Sequence, residues 1–217
     1  MNTINKLANC SYLTGAGVII FALAGLLSAC ALPDKPTRSI TYDFGPGAVA
    51  SPPANRMAAL APLALGDIDA SAALDSTAVL YRLAYADAQQ LRPYAQARWS
   101  MPPAQLVRQR LREQLSLRRA VLNAGEGNGL SSNPWQLRVE LEEFSQLFES
   151  ASVSTGLLRL RATVVQASPQ GEKLIGQRSV IVQRPAPSAD APGGVRALTA
   201  ASDAAVVELD QWLQELR

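Results

Sequence analysis

The sequence predicts an α+β fold: an antiparallel sheet with helices packed on one face. Three observations predict it. Apolar and polar residues alternate in several short runs, the period-2 signature of half-buried strands. Two longer segments instead repeat apolar residues every three or four positions, as amphipathic helices do. The order along the chain is strands, helix, three-strand meander, helix, so helices and strands are grouped rather than strictly alternating.

The first predicted strand covers 39–44, where Ile40, Tyr42 and Phe44 alternate with Ser39, Thr41 and Asp43. Gly45-Pro46-Gly47 stops it, and a loop rich in Pro, Ala and Ser runs to Asn55. Residues 57–65 are apolar and short, as in a second, buried strand, and 67–75 read as a loop. A third strand follows at 78–84, and a fourth at 91–97 pairs with it. Ser100-Met101-Pro102-Pro103 is a helix start: a capping hydroxyl, then prolines in the first turn, where a missing N–H costs little. Val107, Leu111 and Leu115 then share one face, and the helix ends before Ala120.

Residues 125–132 are a loop of Gly, Asn and Ser. The clearest strand comes next, with Trp135, Leu137, Val139 and Leu141 alternating with Gln136, Arg138, Glu140 and Glu142. At that point Glu143 takes an apolar slot and Phe144 a polar one. A one-residue phase shift of this kind predicts a β-bulge, with the strand resuming through Phe144, Gln146 and Phe148. Leu158, Leu160, Ala162 and Val164 mark the partner strand, and a Pro-Gln-Gly turn at 169–171 leads to a third at 174–183. Residues 184–194 read as a linker of Pro, Ala and Gly. The last helix carries Leu198, Ser202, Ala205, Leu209, Trp212 and Leu216 on one stripe, with Asp203, Glu208, Asp210 and Glu215 toward solvent.

A basic Lys6 precedes an apolar stretch of 15 residues from 13 to 27. That length suits a signal-peptide core and falls short of the ~20 residues a spanning helix needs. It ends in Leu27-Ser28-Ala29-Cys30, which resembles the lipobox of bacterial lipoproteins. The resemblance implies a diacylglycerol on the Cys30 sulfur, cleavage between Ala29 and Cys30, and acylation of the new amine. An ordinary secretory signal that contains a Cys is the alternative. The implied organisation is a signal peptide at 1–29, lipidated Cys and tether at 30–37, and one periplasmic domain at 38–217. Cys10 would leave with the signal, so no disulfide could form within the mature chain. Each buried CH₂ of an attached lipid adds about 0.8 kcal/mol, so three acyl chains would anchor the protein permanently. In the sorting pattern of well-studied envelopes an Asp after the Cys retains the protein at the inner membrane. Ala31 stands there, which favours the inner leaflet of the outer membrane.

The chain has 20 Lys and Arg against 18 Asp and Glu, which gives it no electrostatic reason to seek nucleic acid. Histidine is absent, removing the commonest general base and the commonest metal ligand. Glu140, Glu142 and Glu143 form the one tight acid cluster, and two of them fall on the outward side of a strand, as a solvated edge does. Gly125-x-Gly127-x-Gly129 lacks the Lys-Ser/Thr of a phosphate loop and precedes a strand, so it reads as a connector. Arg108, Arg110, Arg112, Arg118 and Arg119 surround Glu113. Such a row is either a solvated face paired with nearby acids or a site for an anionic headgroup or partner. The expectation is therefore a non-enzyme with no catalytic residue, no metal and no cofactor.

The order of these segments resembles the ABC-type transport auxiliary lipoproteins, the family that includes the PqiC lipoprotein. The residues that carry the resemblance are Tyr42-Asp43-Phe44-Gly45-Pro46, Tyr94, Arg98-Trp99, and Pro102-Pro103 opening a helix through Ala104-Gln105-Leu106-Val107. The strand Leu137-Arg138-Val139-Glu140-Leu141 with Phe144, its partner at 158–165, and Trp212-Leu213 complete the set. The resemblance implies an auxiliary component of a system that moves lipids or other apolar molecules across the bacterial envelope. Its partners would be an MCE-domain protein and the ABC permease and ATPase, with a homo-oligomeric ring one way for such a scaffold to dock. From a different class, the alternative is a lipoprotein that itself binds an apolar or anionic ligand in a groove between sheet and helices.

Replacing the attacking sulfur tests the anchor. Cys30→Ala is expected to abolish incorporation of a fatty-acid analogue and to leave the precursor uncleaved; equal labelling of variant and wild type would rule the lipobox out.

Overall fold

The computed structural model of the protein describes residues 38–47, 60–124 and 134–216. Eight strands form one sheet, and its axis is β6, Trp135–Phe148. Before it come β1 (Ile40–Tyr42), β2 (Leu60–Ala70), β3 (Ala78–Leu83), β4 (Ala88–Trp99) and β5 (Arg119–Asn123). After it come β7 (Ser154–Ser168) and β8 (Gly171–Pro185). Among the described residues three helices complete the fold: a single turn α1 (Ala84–Asp87), then α2 (Pro103–Ser116) and α3 (Ala191–Glu215). The α+β class expected from the sequence is the class observed.

One edge of β6 is paired along its whole length with β7. The other edge is shared: β2 runs beside its first half and β3 beside its end, from Tyr81↔Gln146 to Leu83↔Phe148. Beyond them, β5 borders β2, while β4 borders β3 and β1 borders β4. The hairpin-linked pairs β3–β4, β6–β7 and β7–β8 are antiparallel, as expected. The pairs β1–β4, β2–β5, β2–β6 and β3–β6 are parallel, so the sheet is mixed and not antiparallel throughout. The reason lies in the connections. Parallel neighbours need a long crossover, and the chain between β2 or β3 and β6 is long enough to include α2.

The bulge is where the alternation breaks. Leu141 faces Leu160 and Glu143 faces Arg159, leaving Glu142 as the extra residue. The phase shift returns Phe144 to the buried side, joining Leu137, Val139 and Leu141. Two stretches differ from the expectation. β2 continues to Ala70 through residues expected in a loop, and β5 occupies a stretch given no strand. β5 is five residues long and opens on Arg119, too short and too polar at its start to show a period.

Helix α2 buries Val107, Leu111 and Leu115 as its spacing predicts. Ser100 is not its cap. Pro102 holds that place in extended conformation, and its carbonyl accepts the N–H groups of Gln105 and Leu106 at 2.9 and 3.3 Å. Helix α3 begins at Ala191, within the expected linker, because Asp190 caps it: its Oδ1 accepts the Gly193 N–H at 2.8 Å. Pro192 sits in the first turn, where it costs no hydrogen bond. Asp210, expected in solvent, is buried, with Gln114 of α2 reaching its Oδ2 at 3.5 Å. The helix turns by 3.6 residues, not 3.5, so its covered stripe drifts toward α2.

Both helices lie on one face of the sheet, α3 over β7 and β8 and α2 over β2 and β5. Their approach requires Gly156: a Cβ there would lie 2.6 Å from the backbone of Ala197 and Leu198 in α3. Gly156→Ala should therefore destabilise the domain by about 1–3 kcal/mol, the usual cost of overpacking. Gly66→Ala is the control, since its Cβ would meet only the Leu137 carbonyl, at 3.8 Å. Denaturant titration of both variants checks this, and equal stabilities would contradict it.

Candidate functional site

Part of the sequence resemblance, Tyr42 to Pro46, Trp99, Pro102-Pro103 and Phe144, comes together where β1 ends and α2 begins, whereas Tyr94 packs on Tyr81 and Trp212-Leu213 lie at the far end of α3. Strand β1 pairs with the end of β4 in register Tyr42↔Trp99, and the Ser100 N–H donates to the Tyr42 carbonyl at 2.7 Å. Immediately after β1, the Phe44 ring meets Trp99 edge-on, with centroids 5.6 Å apart. Phe144, just past the bulge, closes a triangle at 6.1 Å from Phe44 and 5.7 Å from Trp99. All three rings are buried. Each such pair contributes about 0.5–1.5 kcal/mol beyond its area burial.

The surrounding motif residues shape the turn. Asp43 is exposed, and its Oδ1 accepts the Gly45 N–H at 2.8 Å, bending the chain away from the strand. Pro46 is exposed on the same turn, and Pro103 is buried at the start of α2. Arg110 of α2 binds the turn in place. Its Nη2 donates to the Phe44 carbonyl at 2.6 Å, and its guanidinium reaches Asp203 at 3.2 Å and Glu113 at 3.7 Å. Burial raises the Asp203 carboxyl above the usual carboxylate range, against the opposing pull of Arg110. Beside the turn a groove of about 440 Å³ runs along Val195, Arg196 and Thr199 of α3. Ala29 and Cys30, the expected cleavage and lipidation residues, lie outside the described residues, as does the Gly125–Gly129 connector.

The arginine row acts as a set of fasteners. Arg108 donates to the Gly66 carbonyl at 3.0 Å and pairs with Asp67 at 3.3 Å. Arg112 donates to the Val121 carbonyl at 3.1 Å and to Asn123. Arg118 donates to Gln214 at 2.7 Å. Arg119 stands apart, buried and with Nε lacking any hydrogen-bond partner among the described residues. The glutamate cluster is also structural. Glu142 pairs with Arg159 and Arg161 across β7, and Glu143 is buried against Arg82 at 3.0 Å and the Ser145 hydroxyl at 2.7 Å.

Sequence reading did not single out Arg110 or Asp203 as parts of this junction. Nothing local distinguishes Arg110 from Arg108 or Arg112. Only the fold brings it to a carbonyl 66 positions earlier. Tyr94 is perturbed as well: burial, then Tyr81 and Asp190, push its hydroxyl well above the ordinary phenol range. It donates to Gln146 Oε1 at 2.8 Å, and Gln146 in turn donates to Ser154. Among the described residues no cluster of three or more His, Cys, Asp or Glu is placed to hold a metal ion. No described helix is long and apolar enough to cross a membrane.

The fold and this junction define a class that comparison with known proteins identifies. The signature of the ABC-type transport auxiliary lipoprotein component matches residues 42–209, from Tyr42 of the junction to Leu209 of α3, and the chain belongs to that family. Among solved structures, the chain is similar to a Xanthomonas campestris protein of the DUF330 family. The two share 21% identity over 74% of this chain and 87% of that one, with a TM-score of 0.61. An uncharacterized protein aligns at 15% identity over 82% of this chain and 99% of its own, with a TM-score of 0.57. At these identities the likeness concerns the fold. No curated protein matches the sequence. Family membership associates the chain with an ABC transport system and the cell envelope as an auxiliary lipoprotein, and the family is not one of known enzymes.

Arg110→Met removes a charged donor from the Phe44 carbonyl and should cost about 1.5–3 kcal/mol of stability. Denaturant titration measures it, and an unchanged midpoint would show that the turn holds without Arg110.

Proposed function

We propose that the protein is an adaptor, anchored through lipid on Cys30, for an ABC-type, MCE-associated system that moves lipids or other apolar molecules across the envelope. The single observation that carries this reading is the family signature over residues 42–209. The domain would stand in the periplasm on a short tether after Cys30, at the inner leaflet of the outer membrane, and hold an MCE-domain protein and the ABC permease and ATPase in one assembly. It would do so without catalysing a reaction. The residue inventory supports that view, since histidine is absent and the acid cluster is consumed in ion pairs within the sheet. β8 supports a docking role: among the described residues it pairs only with β7, leaving one edge open beside the exposed Leu174 and Ile181. A homo-oligomer is compatible with the same edge.

Genetics and capture test the adaptor together. Loss of the gene should weaken the outer-membrane barrier as loss of the transporter does, and loss of both should give no more than the stronger single defect. A secreted form lacking Cys30 should complement poorly even when abundant, and the wild type should capture the MCE-domain protein. Additive defects, or full rescue by the unanchored form, would overturn the proposal.

A further inference from the structure

We propose that a cavity at the C-terminal end of α3 binds a single-chain amphiphile with an anionic head, held by Arg119. The cavity has a volume of about 350 Å³ and lies between the helix and the start of β2 and β6. That volume falls within the range of small-molecule sites, at its lower end, where one acyl chain fits better than two. Its walls are mostly apolar, with Leu60 and Pro62 of β2, Trp135 of β6, and Leu213 and Leu216 at the end of α3, and Gln166 and Gln214 add polar amides.

Arg119, at the start of β5, is the charged residue of this wall. It is only 8% exposed, yet no hydrogen bond or ion pair engages its guanidinium among the described residues, and its Nε is orphaned. A buried guanidinium with an unused N–H donor is costly and calls for an acceptor. The other four arginines of the row all have partners, which makes the fifth an exception with a place to put a ligand. Asp210 is near enough to act on Arg119 electrostatically, but Asp210 Oδ1 is itself without a hydrogen-bond partner among the described residues. Arg118 adds a second cation at the rim, through its bond to Gln214 of the cavity wall. Arg119 thus feels one carboxylate, Asp210, and one like charge, Arg118. One carboxylate against two guanidinium groups leaves a positive charge for a carboxylate or phosphate head to balance. The tail would then lie along Trp135, Leu213 and Leu216. This site is separate from the motif junction and does not depend on the adaptor role.

A palmitate analogue with a photoactivatable group in its chain tests the site on the full-length protein in phosphatidylcholine nanodiscs. Label is expected on peptides containing Trp135 or Leu213 and Leu216. Palmitate should compete it away, and hexadecyltrimethylammonium of the same chain length should not. Lysophosphatidylglycerol, run as a second anionic competitor, tells a phosphate head from a carboxylate by which competes at lower concentration. Arg119→Met should reduce labelling at least tenfold. Leu216→Trp should do the same by filling the cavity with Arg119 intact, so the test stands even if Arg119→Met does not fold. Label spread evenly over the protein, competition by the cationic amphiphile as good as by palmitate, or undiminished labelling of Leu216→Trp would overturn the proposal.

Discussion

The fold depends on one meeting of aromatic rings. Phe44, Trp99 and Phe144 come from a turn after β1, from the end of β4 and from the middle of β6, and they touch only because the β6 bulge turns Phe144 inward. A regular strand would send Phe144 to the opposite face and bring Glu143 into the core. The extra residue at Glu142 thus does two things. It lets both halves of β6 serve one core, and it carries the pairing of that strand past the point where β2 gives way to β3. The Arg110 tether then fixes the turn against α2, so sheet and helix layers are joined at the same place.

This arrangement changes the meaning of the residues that carry the family likeness. Tyr42 to Pro46, Trp99 and Pro102-Pro103 are close in space, but what they build is a junction of core rings, a bent turn and a helix start. The rings are buried and the turn is bound by its own hydrogen bonds, so the signature reports how the domain is made. Partner contacts are then sought away from this junction, such as at the edge of β8 that no described strand pairs. The perturbed acids have structural places too: Asp190 caps α3 and Asp203 belongs to the Arg110 tether.

Much of this was legible in the sequence where a residue's own pattern decides its environment. The bulge could be read from Glu143 and Phe144 exchanging places, and the buried stripe of α2 from Val107, Leu111 and Leu115. The partners of each strand were less legible. Period-2 alternation says which side chains are buried but not whether a neighbour runs parallel, and four of the pairs proved parallel. The start of α3 was hidden by Pro192-Gly193-Gly194, which as composition resembles a linker. Asp190 followed by Pro192 was the available signal, since together they cap and open a helix. The isolation of Arg119 was illegible, because it depends on which carbonyls and carboxylates the fold brings to its four neighbours.

The central claim is that the family signature acts as a staple between distant parts of the chain, and its direct measure is the coupling between two of its members. A double-mutant cycle with Phe44→Ala and Trp99→Ala, read by equilibrium denaturation, isolates that coupling from the loss each variant causes alone. An interaction energy in the range of about 0.5–3 kcal/mol is expected for residues in such contact. Effects that simply add, to within about 0.3 kcal/mol, would contradict the staple and return these residues to the list of candidate partner contacts.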